Sequence, residues 1–544
     1  QVPENQSLIL LGGEVSLAGG GMNAAGGRVE LGAVAGSGAV ELSLEDNRLS
    51  LNFPATLDRA DIALIDGATV TTSGEGGGSI QIWGRRVLMN NGSQVTASAQ
   101  GASPGGRLTV NASELLEVVG FAPFGNLSTL SLGDGKAGDV LIETRAMRIR
   151  DGAQIVSASL GNGSAGQLTV NASESAEVVG LDSAGFSSFL GVFTSSAGQA
   201  GNLTINTGRL IIQDGGALSA ESLIFENEKA LPGTGNGGNL TINASDSIEL
   251  RRGFIFAGTQ GSGNAGNLTI NTDRLLVQDS STIGARSQGS GNAGNILVQA
   301  RSVTLSNQAR IDAATTSSQG GNITLQVQDV LLLRQGSLIS TTAGMGQAGG
   351  NGGNITIDGK FIVAVPRENS DITANAFLGR GGNIRITTQG IFGIEQRFRE
   401  TGLSDITASS EFGISGTITL NTPDVDSSPG IVSLPTEIQD TSQLIASTCP
   451  ADEGNSFAIT GRGGLPQDPR QPLMSDSVWL DDRSPRQAAL SPSSPGETNP
   501  SANPATEEAQ GWIKQPDGSI HLVANYPGRT TQAVYPIPCA VPSR

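Results

Sequence analysis

Residues 266–293 read Gly266-Asn267-Leu268-Thr269-Ile270-Asn271-Thr272-Asp273-Arg274-Leu275-Leu276-Val277-Gln278-Asp279-Ser280-Ser281-Thr282-Ile283-Gly284-Ala285-Arg286-Ser287-Gln288-Gly289-Ser290-Gly291-Asn292-Ala293, and Gly294 begins the same phrase again. Asn267 to Asn271 alternates polar and apolar, the period of a strand, with Leu268 and Ile270 on one face. Arg274 to Gln278 is a second strand, with Leu275 and Val277 on one face. Asp279-Ser280 turns the chain, Thr282 to Ala285 is a third and shorter strand, and Ser287 to Ala293 is a polar, Gly-rich loop. One unit is therefore three short strands and three turns.

The unit recurs along most of the chain. Gly-Asn-Leu-Thr-Ile opens at Gly201, Gly238 and Gly266, and variants open at Gly106, Gly138, Gly166, Gly294, Gly321, Gly353, Gly382 and Gly416. The spacing is 28 residues from Gly138 to Gly166, from Gly238 to Gly266 and from Gly266 to Gly294, and it stretches to 37 from Gly201 to Gly238. A period of this length marks a stacked array that grows along one axis instead of around one core. A propeller blade would need four strands and more residues, usually with an aromatic signature; aromatic residues are only 4% of this chain. The pattern predicts an all-β fold, a right-handed single-stranded parallel β-helix with three strands per coil, roughly 28-residue repeats and a small C-terminal region. Equivalent residues then stack, so that Leu, Ile and Val form interior ladders. Asn202, Asn239, Asn267, Asn295, Asn322, Asn354 and Asn383 are expected to stack at one corner as an amide ladder. Roughly 13 coils at about 4.8 Å each would make a rod of roughly 60–70 Å.

The excess residues of the longer repeats fall in segments such as Glu221–Thr234 and Glu395–Leu403. Insertions in solenoids map to loops on one face, often the binding face; drift in exposed loops is the other reading. Upstream, Ala25 to Gly32 is a degenerate copy, residues 57–73 carry a strand–turn–strand half, and the β-helix is expected to begin near residue 8. The domain reading is a β-helix over 1–425, a cap or transition segment over 426–482, a disordered Ser/Pro-rich linker over 483–510 and a short β-hairpin tail over 511–544. In that tail Asp517-Gly518 supplies the turn signal, and the hairpin is a candidate cap for the open end of the rod.

The 544 residues carry a net charge of −18, which disfavours nucleic acid as a partner because phosphate binding needs a basic surface. Of the two cysteines, Cys449 and Cys539, a disulfide would fit an oxidising compartment, and two free thiols are the alternative. No apolar run is long enough for a transmembrane helix. Gln1 stands almost directly before strand-like sequence, which reads as a processed or truncated chain whose export signal lay upstream.

Candidate chemistry is sparse. Asp151, Asp214 and Asp279 occupy equivalent turns and read as turn residues. Asn271-Thr272-Asp273 faintly resembles the Asn-Thr-Asp of galacturonases, but its equivalents Asn206-Thr207-Gly208 and Asn243-Ala244-Ser245 make it a product of the repeat. The one histidine, His521, lies in the tail, which leaves the rod without a His-based triad. The Gly-rich loops lack the Lys-Ser/Thr of a phosphate loop, and the Asn-x-Ser/Thr sequons at Asn202, Asn239 and Asn267 arise from the repeat itself. No catalytic, cofactor-binding or metal-binding residue is expected.

The copies of Gly-Asn-Leu-Thr-Ile-Asn, each followed by Arg-Leu-x-Ile/Val-x-Asp-Gly and Ala-x-Ile-x-Ala, resemble the filamentous-haemagglutinin-like exoproteins of bacteria, over roughly residues 1–425. Phe457 to Pro466, with Cys449 upstream, and Glu508 to Trp512 resemble the C-terminal region of such proteins. The resemblance implies export through an outer-membrane β-barrel transporter of a two-partner secretion system, followed by surface display or release. It also implies adhesion, surface-layer or filament formation, or toxin delivery; the N-terminal secretion domain is absent or reduced to residues 1–35, and no toxin-like tail is visible. The expectation is a secreted or cell-surface structural and adhesive protein, not an enzyme, with a receptor among surface polysaccharides or proteins. A β-helix polysaccharide lyase or hydrolase and a surface-layer building block are the alternatives.

Overall fold

The computed structural model describes residues 1–45, 48–54, 56–122, 125–223 and 233–423, together with the backbone of 511–514 and 520–523. The chain divides into two compact units, Gln1–Asp426 and Ser427–Arg544. In the first unit, sixteen strands form one sheet and fourteen shorter strands form another. Each strand pairs in parallel with its equivalents one repeat before and one repeat after, as Leu240–Arg251 does with Leu203–Gln213 and Leu268–Gln278. This is a right-handed parallel β-helix. It begins at Ser7–Gly12, which pairs with Arg28–Ala33.

The interior follows the alternation in the sequence. Leu268, Ile270, Val277 and Ile283 have no solvent exposure and Leu275 has 1%. Leu203, Leu240, Leu268, Ile296, Ile323 and Ile355 stack in one register column. Each fully buried aliphatic side chain contributes about 1.5–3 kcal/mol, offset by the entropy of ordering the chain. Small Ala residues, such as Ala220, Ala257 and Ala285, are buried at the end of the short strands.

The coil departs from three separate strands in one respect. The first two expected strands run on as a single strand, Leu268–Gln278 in the coil quoted above. In most coils the pairing register shifts in the middle of this strand, as between Ala244 and Ser247. Neighbouring coils have one or two residues there, a β-bulge that bends the strand without leaving the ladder. Buried Ala112, Ala172, Ala244 and Ala300 stand at the bend, alternating with Thr144, Thr207 and Thr272 in the same column, which Val327 continues. The third side of the coil is the short-strand sheet, widened by single bridges that link Ser222, Thr259, Ser287, Thr315 and Ala343.

Two backbone devices close the coil. Between long and short strand stand paired residues of positive φ: Asp151 and Gly152, Asp214 and Gly215, Asp279 and Ser280. Two consecutive left-handed residues make the tight turn that Asp, Asn and Gly tolerate best. At the start of each long strand, the glycines stack so closely that no side chain fits between them. A Cβ on Gly238, Gly266 or Gly294 would lie 1.6–1.9 Å from the carbonyl oxygen of the glycine one coil earlier. The Gly of the repeated phrase is thus required by close approach of backbone to backbone.

Residues 34–60 leave the coil and include an antiparallel pair, Glu41–Glu45 with Arg48–Asn52. Phe53, next to this pair, stacks on Trp83 with ring centroids 4.0 Å apart. In the second unit, Gly511–Lys514 pairs antiparallel with Ile520–Val523. Cys449, Cys539, the 426–482 segment, the 483–510 linker and residues 224–232 of the longest insertion lie outside the described residues.

Candidate functional site

The seven Gly-Asn amides come together at the exposed corner before the long strand. The Asn239 main-chain N–H donates to Asn202 Oδ1 at 3.0 Å, and Asn267, Asn295, Asn322, Asn354 and Asn383 repeat the bond at 2.9–3.0 Å. From Asn267 onward the side-chain Nδ2 also donates to the previous Oδ1, at 3.0–3.3 Å. Thr417 ends the series by donating its N–H and hydroxyl to Asn383 Oδ1. Each amide oxygen takes up an N–H that no strand satisfies, so this corner is spent on holding coils together.

A second amide column lies four residues further along each strand, on the outer side of the bend. Asn171, Asn206, Asn243 and Asn271 occupy one register position, continued by Gln299, Gln326, Asp358, Thr387 and Asn421. Asn206 Nδ2 donates to Asn171 Oδ1 at 2.8 Å, Asn243 to Asn206 at 2.8 Å and Asn271 to Asn243 at 2.7 Å. Gln299 Nε2 turns the other way, to Gln326 Oε1 at 2.6 Å, and so Asn271 Oδ1 is left without a partner. The inward kink of the bulge makes this column the floor of a groove.

Three depressions follow one another along it. The first, about 400 Å³, runs from Asn206 to Thr272; the second, about 630 Å³, from Asn271 to Lys360; the third, about 490 Å³, from Asp358 to Pro423. Asn271 and Thr272 border the first two, and Asp358, Gly359 and Lys360 border the last two, so the three are one continuous channel. It crosses eight coils, and seven steps of about 4.8 Å give a length of about 34 Å. Towards the start of the rod the same column reaches Trp83, which is 4% exposed beneath Phe53 and the Arg59 guanidinium. At the far end Phe361 and Phe392 stand beside the groove, 36% and 55% exposed, with ring centroids 6.3 Å apart.

Reading the sequence by strands misses this column, because Asn271 there is only the polar residue after an apolar one. Its signal was present in the Asn-Thr-Asp triplet and its equivalents. The bend sets the first residue of each triplet on the floor of the groove. Asp273 is turned away into an ion pair with Arg301 at 2.8 Å.

A group of carboxylates lies on the short-strand sheet. Asp371 and Asp405 stand in neighbouring coils, and Asp371 Oδ1 accepts the Asp405 N–H at 2.9 Å. Asp405 pairs with Arg397 and accepts the Thr401 hydroxyl, while Glu400 accepts the Asn375 amide at 2.7 Å. The Glu395–Leu403 insertion is therefore fastened down over Asp405 and does not project as a free loop. Burial pushes Asp371 up to about 6, against the Asp405 N–H bond, and the charges of Glu400 and Asp405 add to the rise. Asp371 and Asp405 are buried and Glu400 is exposed, and none of the three lines the groove.

A carboxyl with a raised folded-state pKa destabilises the fold once it must ionise. The loss begins as pH rises above the ordinary carboxyl range and is complete above about 6. Asp371→Asn keeps the Oδ1 acceptor and removes the charge. It is expected to raise the unfolding midpoint at pH 7.5 by the equivalent of roughly 1–2 kcal/mol and to have almost no effect at pH 4. Thermal melts at the two pH values check this; an equal gain at both, or a loss at pH 7.5, would contradict it.

A different depression, about 430 Å³ and almost wholly apolar, lies outside the short-strand sheet among Phe121, Val156, Phe186, Phe189 and Phe193. Among the described residues no group of three or more Asp, Glu, His or Cys could hold a metal ion, and no helix is long and apolar enough to cross a membrane. No family model, no curated protein and no solved structure matches this chain.

Proposed function

We propose that this chain is a structural rod with an adhesive role, not an enzyme. In this reading it is displayed at a bacterial cell surface or released, after export through the outer-membrane β-barrel transporter of a two-partner secretion system. The observation that carries the adhesive part is the open groove, floored by a column of amide side chains, that crosses eight coils at one phase of the repeat. A surface of this kind offers many similar weak contacts, which sum by avidity. A hydrolase or lyase needs acid and base groups converging on one point of an open cleft. Asp371, Asp405 and Glu400 are instead tied to Asp405 N–H, Arg397, Thr401 and Asn375. The export route is supported by the resemblance of the repeated phrase to the exoproteins of such systems.

The test uses beads coated with the purified chain. They are expected to be retained on immobilised bacterial envelope or host-cell surface material, at least tenfold above beads coated with an unrelated acidic protein. The supernatant is assayed in parallel for new reducing or unsaturated sugar ends. Sustained release of such ends would overturn the reading in favour of an enzyme, and failure to be retained on any surface would remove the adhesive role.

A further inference from the structure

We propose that the axial groove is the binding site, and that its ligand is a neutral, unbranched polysaccharide lying parallel to the rod. This rests on the reading of the rod as a binding surface and names what it would bind.

The amide column on the floor argues for hydroxyl groups as the partner, and the apolar surface between the amides suits the C–H faces of sugar rings. A side-chain amide offers two N–H donors and two lone pairs. In the Asn171 to Asn271 ladder each interior amide spends one donor and one lone pair on its neighbours. Half of its capacity is left for a ligand. Donor and acceptor side by side match the paired hydroxyls of a sugar ring, and Thr207, Thr272 and Thr387 extend the same chemistry.

Charge decides between neutral and acidic sugars. Asp358 and Lys360 are the charged residues bordering the depressions, and they offset each other. The chain as a whole carries −18, so its field repels uronates and sulfated chains. The same field disfavours nucleic acid.

Shape decides between polymer and small molecule. The groove is shallow and continuous, whereas small ligands select pockets that enclose most of their surface. Its floor presents one polar side chain about every 4.8 Å, close to the length of one sugar in an extended chain. A peptide strand would bind by adding to a sheet edge. The floor here is a sheet face whose main chain is already paired to the coils on both sides. Phe361, next in sequence to the bordering Lys360, and Phe392 are partly exposed and offer apolar ring surface against which the C–H face of a pyranose can lie.

The experiment measures migration of the intact chain in native gels containing hydroxyethylcellulose, glucomannan or linear galactan, with polygalacturonate as the acidic comparison. Retardation is expected in at least one neutral gel and not with polygalacturonate. The double variant Gln299→Ala/Gln326→Ala should weaken that retardation at least tenfold, while Gln213→Ala on another side of the coil leaves it unchanged. A measurement without variants covers the case in which the double variant misfolds. Affinity for oligosaccharides of the retarding polymer should rise with each added sugar well beyond the length of one depression. Preference for polygalacturonate, an undiminished double variant, or affinity that saturates at two or three sugars would each overturn the proposal. If no neutral polymer retards the chain while the coated beads are still retained on surfaces, this inference falls and the adhesive reading stands. If the beads are not retained either, both fall.

Discussion

Gly266→Val is expected to destabilise the coils around it by at least about 3 kcal/mol, the scale of a backbone-level overpacking defect. The Cβ would lie 1.9 Å from the Gly238 carbonyl oxygen and 2.4 Å from its carbon. Both atoms are backbone, and no rotamer can relieve the clash. The coils would have to separate by more than an ångström at this corner. That separation would break the Leu240 N–H bond to Asn267 O, 2.9 Å, and the Asn267 N–H bond to Asn239 Oδ1, 3.0 Å. Because an array is stabilised coil by coil against its nearest neighbours, the damage should be local at first. Hydrogen exchange should therefore lose protection in residues 238–294 before it does so near residue 110. Gly349→Val, where a Cβ meets nothing within 4 Å, is the control and should melt like the parent chain. Equal behaviour of the two variants would refute the argument from close stacking.

The second large effect concerns phase. Deleting residues 266–293 joins Ala265 to Gly294 and places Leu240 against Ile296 and Asn239 against Asn295, both pairs chemically equivalent to those lost. The shortened chain is expected to fold with the same circular dichroism and to lose about 4.8 Å of length in solution scattering. Deleting only residues 266–279 removes one long strand and keeps the short one. Leu240–Arg251 then loses its partner, and the short strand Thr282–Gly284 is left without the long strand that leads into it. The second deletion is expected to abolish folding of the stack beyond residue 251, read as a loss of more than a third of the β signal. A half-coil deletion that folds as well as the whole-coil deletion would mean that the strands do not pair coil to coil.

Much of the fold was legible because its instructions are local and repeated. Leu268, Ile270, Leu275, Val277 and Ile283 alternate within a few residues, and all five face the interior. The continuity of the long strand was not legible. Polar Asn271-Thr272-Asp273 looks like a gap between strands, whereas hydrogen bonding to the coils above and below carries the chain through a bulge. The groove was hidden for the same reason. What makes Asn271 a floor residue is its contact with Asn243, 28 residues away, and the bend that exposes both. The titration of Asp371 depends on its burial, on Asp405 in the next coil and on Glu400, the last brought near it by an insertion that the repeat gives no means of placing.

The direction of the pairing also determines how the rod carries force. Inter-strand bonds point along the axis, so a pull that separates two coils is shared in parallel by every bond of that interface. Successive interfaces are in series, and the rod is only as strong as its thinnest one. Ten residue pairs join the long strands Leu203–Gln213 and Leu240–Arg251. Among the described residues, only four join Ile384–Phe392 to Ile418–Asn421. Under tension an interface joined by few residue pairs should therefore part before the ten-pair interfaces of the interior, which should stay closed until it has done so.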